Sequence, residues 1–250
     1  MLNETSGTVV VIGGRRGIGA AVVRRAKCDG HKVVIGYRDG VCSNKDQEFL
    51  FEQVSDCVFA RPIDVENAMN VESFFQDVQK SLGRPSAVVY AAGVGGNPEM
   101  LIHTNPSSIS KTLSVNLLGA FYAVQSASRS MMRTAGGNGG SIVIVTSESG
   151  KFGGHYISPY AASKAGINAM VLGASRELIR EGIRLNAVSP GVIDTSQHDG
   201  LSTTRRNEVI SSIPFGRMGT PDEVANLVAW LISDESIYVV GSIMSITGGR

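Results

Sequence analysis

The chain has 250 residues with an apolar share of 42%, enough for a buried core in one large α/β domain or two small ones. Its 23 basic and 22 acidic residues are interspersed to a net charge of +1, and no basic tract suggests nucleic acid. Three cysteines without CxxC spacing argue against a disulfide framework or a metal site, and neither a secretory signal nor a membrane-spanning apolar run is seen, so a cytoplasmic protein is expected.

Thr8 to Ile12 (TVVVI) is β-branched and does not alternate, as in a strand buried on both faces. Gly13, Gly14, Arg15, Arg16, Gly17, Ile18 and Gly19 follow, and AAVVRRAKCDG then has helical apolar spacing up to Gly30. Strand, Gly-rich turn and helix open a dinucleotide-binding unit. The glycines let backbone approach a pyrophosphate that sits at the positive helix N-terminus. Lys32 to Tyr37 reads as the second strand. NAD-binding units end this strand in an acid that bonds the ribose 2′-OH. Here Tyr37 and Arg38 stand in that place, and Arg38 with Arg15 and Arg16 suits a 2′-phosphate. NADP(H) is therefore the expected cofactor, although Asp39 is placed to pair with Arg38.

Cys57 to Arg61 reads as a third strand, and Asn67 to Leu82 as an amphipathic helix closed by Gly83 and Pro85. Ala87 to Ala91 is the fourth strand, and the small residues 91–93 leave room for a flat ring against backbone. Asn105 to Arg133 has the length of a long helix, interrupted in character at Asn116 to Gly119. A buried Asn in mid-helix marks a local opening. The fifth strand, Ser141 to Thr146, leads to Ser147 and then to Tyr160 and Lys164, four residues apart on one face of a helix. An ammonium beside a phenol favours the phenolate and lowers its pKa, which starts near 10, and so suits the tyrosine to acid–base work. Ser147 would hold a substrate oxygen and spread the charge developing on it. A Tyr four residues before a Lys more often means a half-buried aromatic beside a solvated charge, so the pair gains weight only from its company.

Ile183 to Val188 is the sixth strand; 197–221 is polar and broken, as in a loop or short-helix flap; Pro221 starts a helix with acids in its first turn. Ser242 to Ile246 is the last strand. This alternation indicates an α/β fold, a doubly wound and mostly parallel sheet of about seven strands flanked by helices. One domain over 1–250, with a substrate flap at about 195–220, is expected.

With these landmarks in order, the chain resembles the short-chain dehydrogenase/reductase family over essentially its whole length. The resemblance rests on GGRRGIG at 13–19, Asp64-Val65, Ala92-Gly93, Asn116, Ser147, Tyr160-x3-Lys164, Pro190-Gly191 and Thr195, with twelve residues between Ser147 and Tyr160. It implies a Rossmann-type sheet and hydride transfer between nicotinamide and a carbonyl or secondary alcohol. Tyr160 would be the acid/base, Lys164 would lower its pKa and bond the nicotinamide ribose, and Ser147 would orient the substrate. Asn116 would hold a water joining Lys164 to solvent. Gly13, Arg16, Ile18, Asp64, Val65, Ala92, Gly93, Pro190, Gly191, Val192 and Thr195 match cofactor positions, and Arg16 and Arg38 match the NADP-preferring pattern. The resemblance also implies a homotetramer or homodimer built through the Tyr160 helix and the long helix before it.

The chain departs from the family pattern at Ile12, where a Thr is usual, at Tyr90-Ala91 in place of Asn-Asn, and at Thr247 in place of Asp. The Tyr90-Ala91 departure is expected to remove side-chain bonds that stiffen the cofactor wall. A small-molecule carbonyl or alcohol would meet Ser147, Glu148, Ser149, Gly95, Gly96, His155, Tyr156 and a flap at 195–215. Glu148 and His155 either point inward, favouring a polar hydroxylated substrate, or face solvent. Two other readings stay open. One is a 3-oxoacyl-thioester reductase, for which Arg205, Arg206 and Arg217 would receive an acidic carrier; the other is a silent NADP-binding regulator.

Overall fold

Branched side chains at consecutive positions suit a strand that buries both faces, and they build the centre of this molecule. The computed structural model describes residues 7–38, 55–196, 200 and 202–250, so Asp39, Cys42 and the flap positions 197–199 and 201 lie outside the described residues. Seven strands form one all-parallel sheet in the order β3-β2-β1-β4-β5-β6-β7. They are β1 (Thr8–Ile12), β2 (Lys32–Tyr37), β3 (Val58–Pro62), β4 (Pro85–Tyr90), β5 (Gly140–Val145), β6 (Ile183–Pro190) and β7 (Ile243–Ile246).

The period of two sorts β1 between two cores. Val10 and Ile12 join the face covered by α2 (Ala68–Leu82), α4 (Gly119–Met131) and α5 (Ser158–Leu178). Val9 and Val11 join the opposite face, under α1 (Gly17–Cys28) and α7 (Pro221–Ile232). Among the described residues, further helices include α3 (Pro106–Leu113), which precedes α4, α6 (Thr203–Ser211) in the flap, and a single turn at Ser149–Phe152. A capping box starts α7: Glu223 N–H donates to the Thr220 hydroxyl, and Thr220 N–H donates to the Glu223 carboxylate.

The ends of β3 to β7 differ from the sequence expectation by one or two residues. β4 begins at Pro85, where the ring is tolerated because a strand's first residue need not donate; the register with β1 shifts between Thr8 and Val9. The long helix over 105–133 opens where Asn116 suggested it would, in a π-helical turn at Ser114–Leu118 between α3 and α4. The flap contains a short helix, one of the two forms its sequence allowed, and Ser202 caps this α6 by accepting from Arg205 N–H at 3.2 Å. Among the described residues, no helix is long and apolar enough to cross a membrane.

Candidate active site

In a parallel sheet, the strand order reverses where two neighbouring strands send their connections to opposite sides, and a crevice opens at their carboxyl ends. Here that point lies between β1 and β4, and a cleft of about 320 Å³ occupies it. Gly13, Arg15, Arg16, Gly17, Ile18, Gly19, Arg38, Asp64, Val65, Ala92, Gly93, Pro190, Gly191 and Thr195 line it, and so do Ser147, Tyr160 and Lys164. The expected cofactor residue Val192 is not in its wall, and neither is Asn116.

Two glycines of the turn after β1 leave no room for a larger residue. A Cβ on Gly13, whose φ is +84°, would stand 2.6 Å from Ala92 N, and one on Gly19 would stand 2.2 Å from Gly13 O. α1 then begins without a side-chain cap and without an acid in its first turn, so its N-terminal dipole and N–H groups are left for an anion. The hydroxyl expected before Gly13 is absent, yet backbone bonds tie the turns. Gly13 N–H donates to Gly36 O at 2.8 Å, and Ala91 N–H donates to Ile12 O at 2.8 Å.

The three arginines are not equivalent. Arg15 is 8% exposed and lies over the Tyr37 ring at 5.3 Å, with one bond from Nη1 to Arg38 O at 3.3 Å. Its Nε and Nη2 are buried and have no partner among the described residues. Arg16 is exposed, and Arg38 is about half exposed. A buried cation with orphaned donors beside a Gly-rich turn and an uncapped helix fits the phosphates of a dinucleotide. The sequence places Tyr37 and Arg38, and no carboxylate, at the end of β2. The structure brings one from elsewhere, because Glu66 Oε2 lies 4.0 Å from Arg38 Nη2.

At the other end of the cleft, Lys164 Nζ lies 5.6 Å from the centre of the Tyr160 ring and donates to Val145 O at 2.8 Å. Burial pushes the Lys164 ammonium down to about 8. Burial pushes the Tyr160 phenol up, and the Ser147 hydroxyl opposes this more weakly. The direction for Tyr160 is upward, against the lowering expected from its lysine, because desolvation disfavours phenolate and ammonium alike. Asn116 is fully buried in the π-helical turn. Its Oδ1 accepts from Val94 N–H at 2.8 Å, and its Nδ2 donates to Val94 O at 3.0 Å and Ser163 Oγ at 3.1 Å. Ser163 in turn donates to Tyr160 O at 2.6 Å. Both amide donors of Asn116 are therefore engaged within the protein.

The stiffening expected to be lost at Tyr90-Ala91 is supplied differently. The buried Tyr90 hydroxyl donates to Val115 O, in the same π-helical turn, at 2.5 Å. On the substrate side, Gly95, Gly96, Glu148, Ser149, His155 and Tyr156 do not line the cleft. His155 is exposed and stacks on Tyr156 at 3.9 Å, while Glu148 is half-buried. Tyr156 has a φ of +64°, and its carbonyl accepts from Glu99 N–H at 2.8 Å, which joins two loops. Each of the three flap-side arginines has an acidic partner. Arg205 pairs with Glu208 at 2.8 Å, Arg206 with Asp194 at 2.7 Å, and Arg217 with Glu223 at 2.6 Å.

Comparison with known proteins agrees with this geometry. A family model described as enoyl-(acyl carrier protein) reductase matches residues 12–250. The 3-oxoacyl-[acyl-carrier-protein] reductase MabA of Mycobacterium tuberculosis is 34% identical over 244 residues, covering 98% of this chain and 92% of that protein. The (3R)-3-hydroxyacyl-CoA dehydrogenase of Mus musculus is 32% identical over 254 residues, covering 99% and 97%. The oxidoreductase YgfF of Escherichia coli is 33% identical over 244 residues, covering 96% and 98%. The chain belongs to the short-chain dehydrogenase/reductase family.

Proposed function

We propose that the protein is an NADP-dependent oxidoreductase that interconverts a carbonyl and a secondary alcohol. One observation carries the reading: Ser147, Tyr160 and Lys164 open into the same cleft as the Gly-rich turn and the orphaned guanidinium of Arg15. When bound, the nicotinamide supplies or accepts the hydride. Tyr160 supplies the proton to the carbonyl oxygen in reduction, and burial keeps its phenol in the acid form that this direction needs. Ser147 holds that oxygen, and Lys164 stands beneath the phenol as the next proton carrier. Because both amide donors of Asn116 are engaged with Val94 and Ser163, any water it positions donates to an Asn116 oxygen.

The substrate class best supported is a 3-oxoacyl or 3-hydroxyacyl thioester, because MabA and the mouse dehydrogenase are named for such substrates. The paired state of Arg205, Arg206 and Arg217 gives an acidic carrier protein no free cation at those positions, which favours a small thioester over a carrier-bound one. We further propose a cytoplasmic, single-domain enzyme, in keeping with the free thiols of Cys28 and Cys57. It would assemble as a homodimer or homotetramer through the half-exposed apolar side chains of Leu118, Phe121, Leu172 and Ile179, which lie on or beside α4 and α5.

The test combines binding with turnover. NADPH is titrated into purified protein, and its oxidation is followed with acetoacetyl-CoA, an acetoacetyl-carrier protein and simple ketones. Tyr160→Phe is expected to keep NADPH binding and to lose activity by about 100-fold or more, the scale of a general acid. Retained turnover in that variant would remove the mechanism. Binding of neither NADPH nor NADH would remove the whole reading.

A further inference from the structure

Three charged groups meet at the edge of the cleft: Arg38 just after β2, Glu66 in the β3–α2 connection and Lys111 on α3. Glu66 lines the cleft just after Asp64-Val65, and its Oε2 is the atom nearest Arg38 Nη2, at 4.0 Å. The same Oε2 is in direct contact with Lys111 Nζ, from the last turn of α3. The side chains of Glu66 and Lys111 are 23% and 38% exposed, so solvent screens this pair only in part.

A carboxylate at this place opposes a 2′-phosphate in two ways. It repels the phosphate directly, and it can engage Arg38, since a guanidinium and a carboxylate form a bidentate pair when nothing else holds the carboxylate. Lys111 acts against both effects. Its ammonium offsets the charge of Glu66, and its hold on Oε2 leaves Arg38 at the outer limit of ion pairing.

We propose that Lys111 and Glu66 set the cofactor preference of the cleft. Lys111 keeps Arg38 free for the 2′-phosphate, and Glu66 limits how strongly the phosphate is held. The inference rests on the NADP reading above. NADH has no 2′-phosphate, so its binding is insensitive to both residues. A merely structural strap between α3 and the β3–α2 connection behaves differently, because loss of either partner then loosens the same contact and affects both nucleotides in the same sense.

The test is calorimetric titration of NADPH and of NADH, separately, into wild type, Lys111→Met, Glu66→Gln and the double variant, with thermal melts confirming the fold. Lys111→Met is expected to weaken NADPH roughly five- to tenfold, as for an electrostatic partner at a half-exposed site, with NADH changed by less than about twofold. Glu66→Gln is expected to tighten NADPH by a similar factor, and adding Lys111→Met to it is expected to have little further effect. Opposite signs for the two single variants, confined to NADPH, support the proposal. An unchanged NADPH-to-NADH ratio in Lys111→Met, or equal weakening of both nucleotides, overturns it while leaving a wild-type NADPH preference standing. Absence of any preference in wild type overturns the NADP reading and this inference together. Should Lys111→Met fail to fold, Glu66→Gln decides alone: no selective tightening of NADPH overturns the proposal.

Discussion

A buried guanidinium with two unbonded nitrogens destabilises the protein that holds it, and Arg15 keeps one against Tyr37 beside the Gly-rich turn. Such a group persists where a ligand satisfies it. Arg15→Met keeps much of the packing volume and removes the unsatisfied donors, so stability without nucleotide is expected to hold or rise. NADPH binding is expected to fall about tenfold or more, as for a desolvated charge partner, with NADH nearly unaffected. Titration of both nucleotides and a urea melt would check this; equal loss for both would show that Arg15 serves the turn rather than the phosphate. Arg38→Asp belongs to the same scale. It is expected to shift preference toward NAD by repelling the 2′-phosphate and offering the ribose an acceptor. An unchanged cofactor ratio would show that Arg38 does not read the phosphate. Which arginine lies deepest was not legible in RRG, because burial depends on how Tyr37 and the Arg38 carbonyl close over the side chain.

The π-helical turn is the element on which several long-range contacts converge. Tyr90 reaches it from β4 through Val115 O, Asn116 fastens it to Val94 and Ser163, and Gly119 passes the Tyr90 hydroxyl so closely that a Cβ there would lie 2.5 Å away. Tyr90→Phe is expected to cost about 1–3 kcal/mol, since it leaves a buried carbonyl without its donor. Gly119→Ala is expected to destabilise through the clash, and less so when combined with Tyr90→Phe, which removes the atom that is struck. Urea denaturation of the two single variants and the double variant measures the coupling; strict additivity would show that the hydroxyl and the glycine do not meet as described. The turn was foreshadowed in sequence by Asn116, whose polar side chain does not belong in a buried helix unless something bonds it. The strands were legible because branched runs between Gly and Pro leave few alternatives, and β1 and β2 fall at the residues expected. The contacts that organise the site were not. Tyr90 is 25 residues from Val115, and Lys111 is 45 from Glu66, separations at which periodicity carries no information.

At the scale of the whole molecule, the Tyr160–Lys164 pair makes stability depend on pH in a direction that can be worked out. Lys164 titrates near 8 in the folded protein, below the ordinary lysine value of 10.5. Below pH 8 both folded and unfolded chains carry the proton, and the fold bears the full cost of a buried ammonium. Between about 8 and 10.5 the unfolded chain binds the proton that the folded one has released, so stability attributable to Lys164 increases as pH rises. Tyr160 acts in the other sense. Its folded pKa lies above 10.0, so the contribution of its buried phenol is whole below that pH and is lost as pH rises beyond it. The two together place the most favourable pH for this pair between the lysine and tyrosine values, on the alkaline side of neutrality. Lys164→Met has no ammonium to bury. The stability of wild type relative to Lys164→Met is therefore expected to increase from pH 8 to pH 10, read as urea midpoints at constant slope. Parallel profiles for the two proteins over that range would mean that Lys164 keeps its ordinary affinity for the proton in the folded state. The desolvation that costs the fold stability at neutral pH also brings the lysine close enough to neutrality to exchange protons with its surroundings, so the strain and the proposed chemistry have one physical origin.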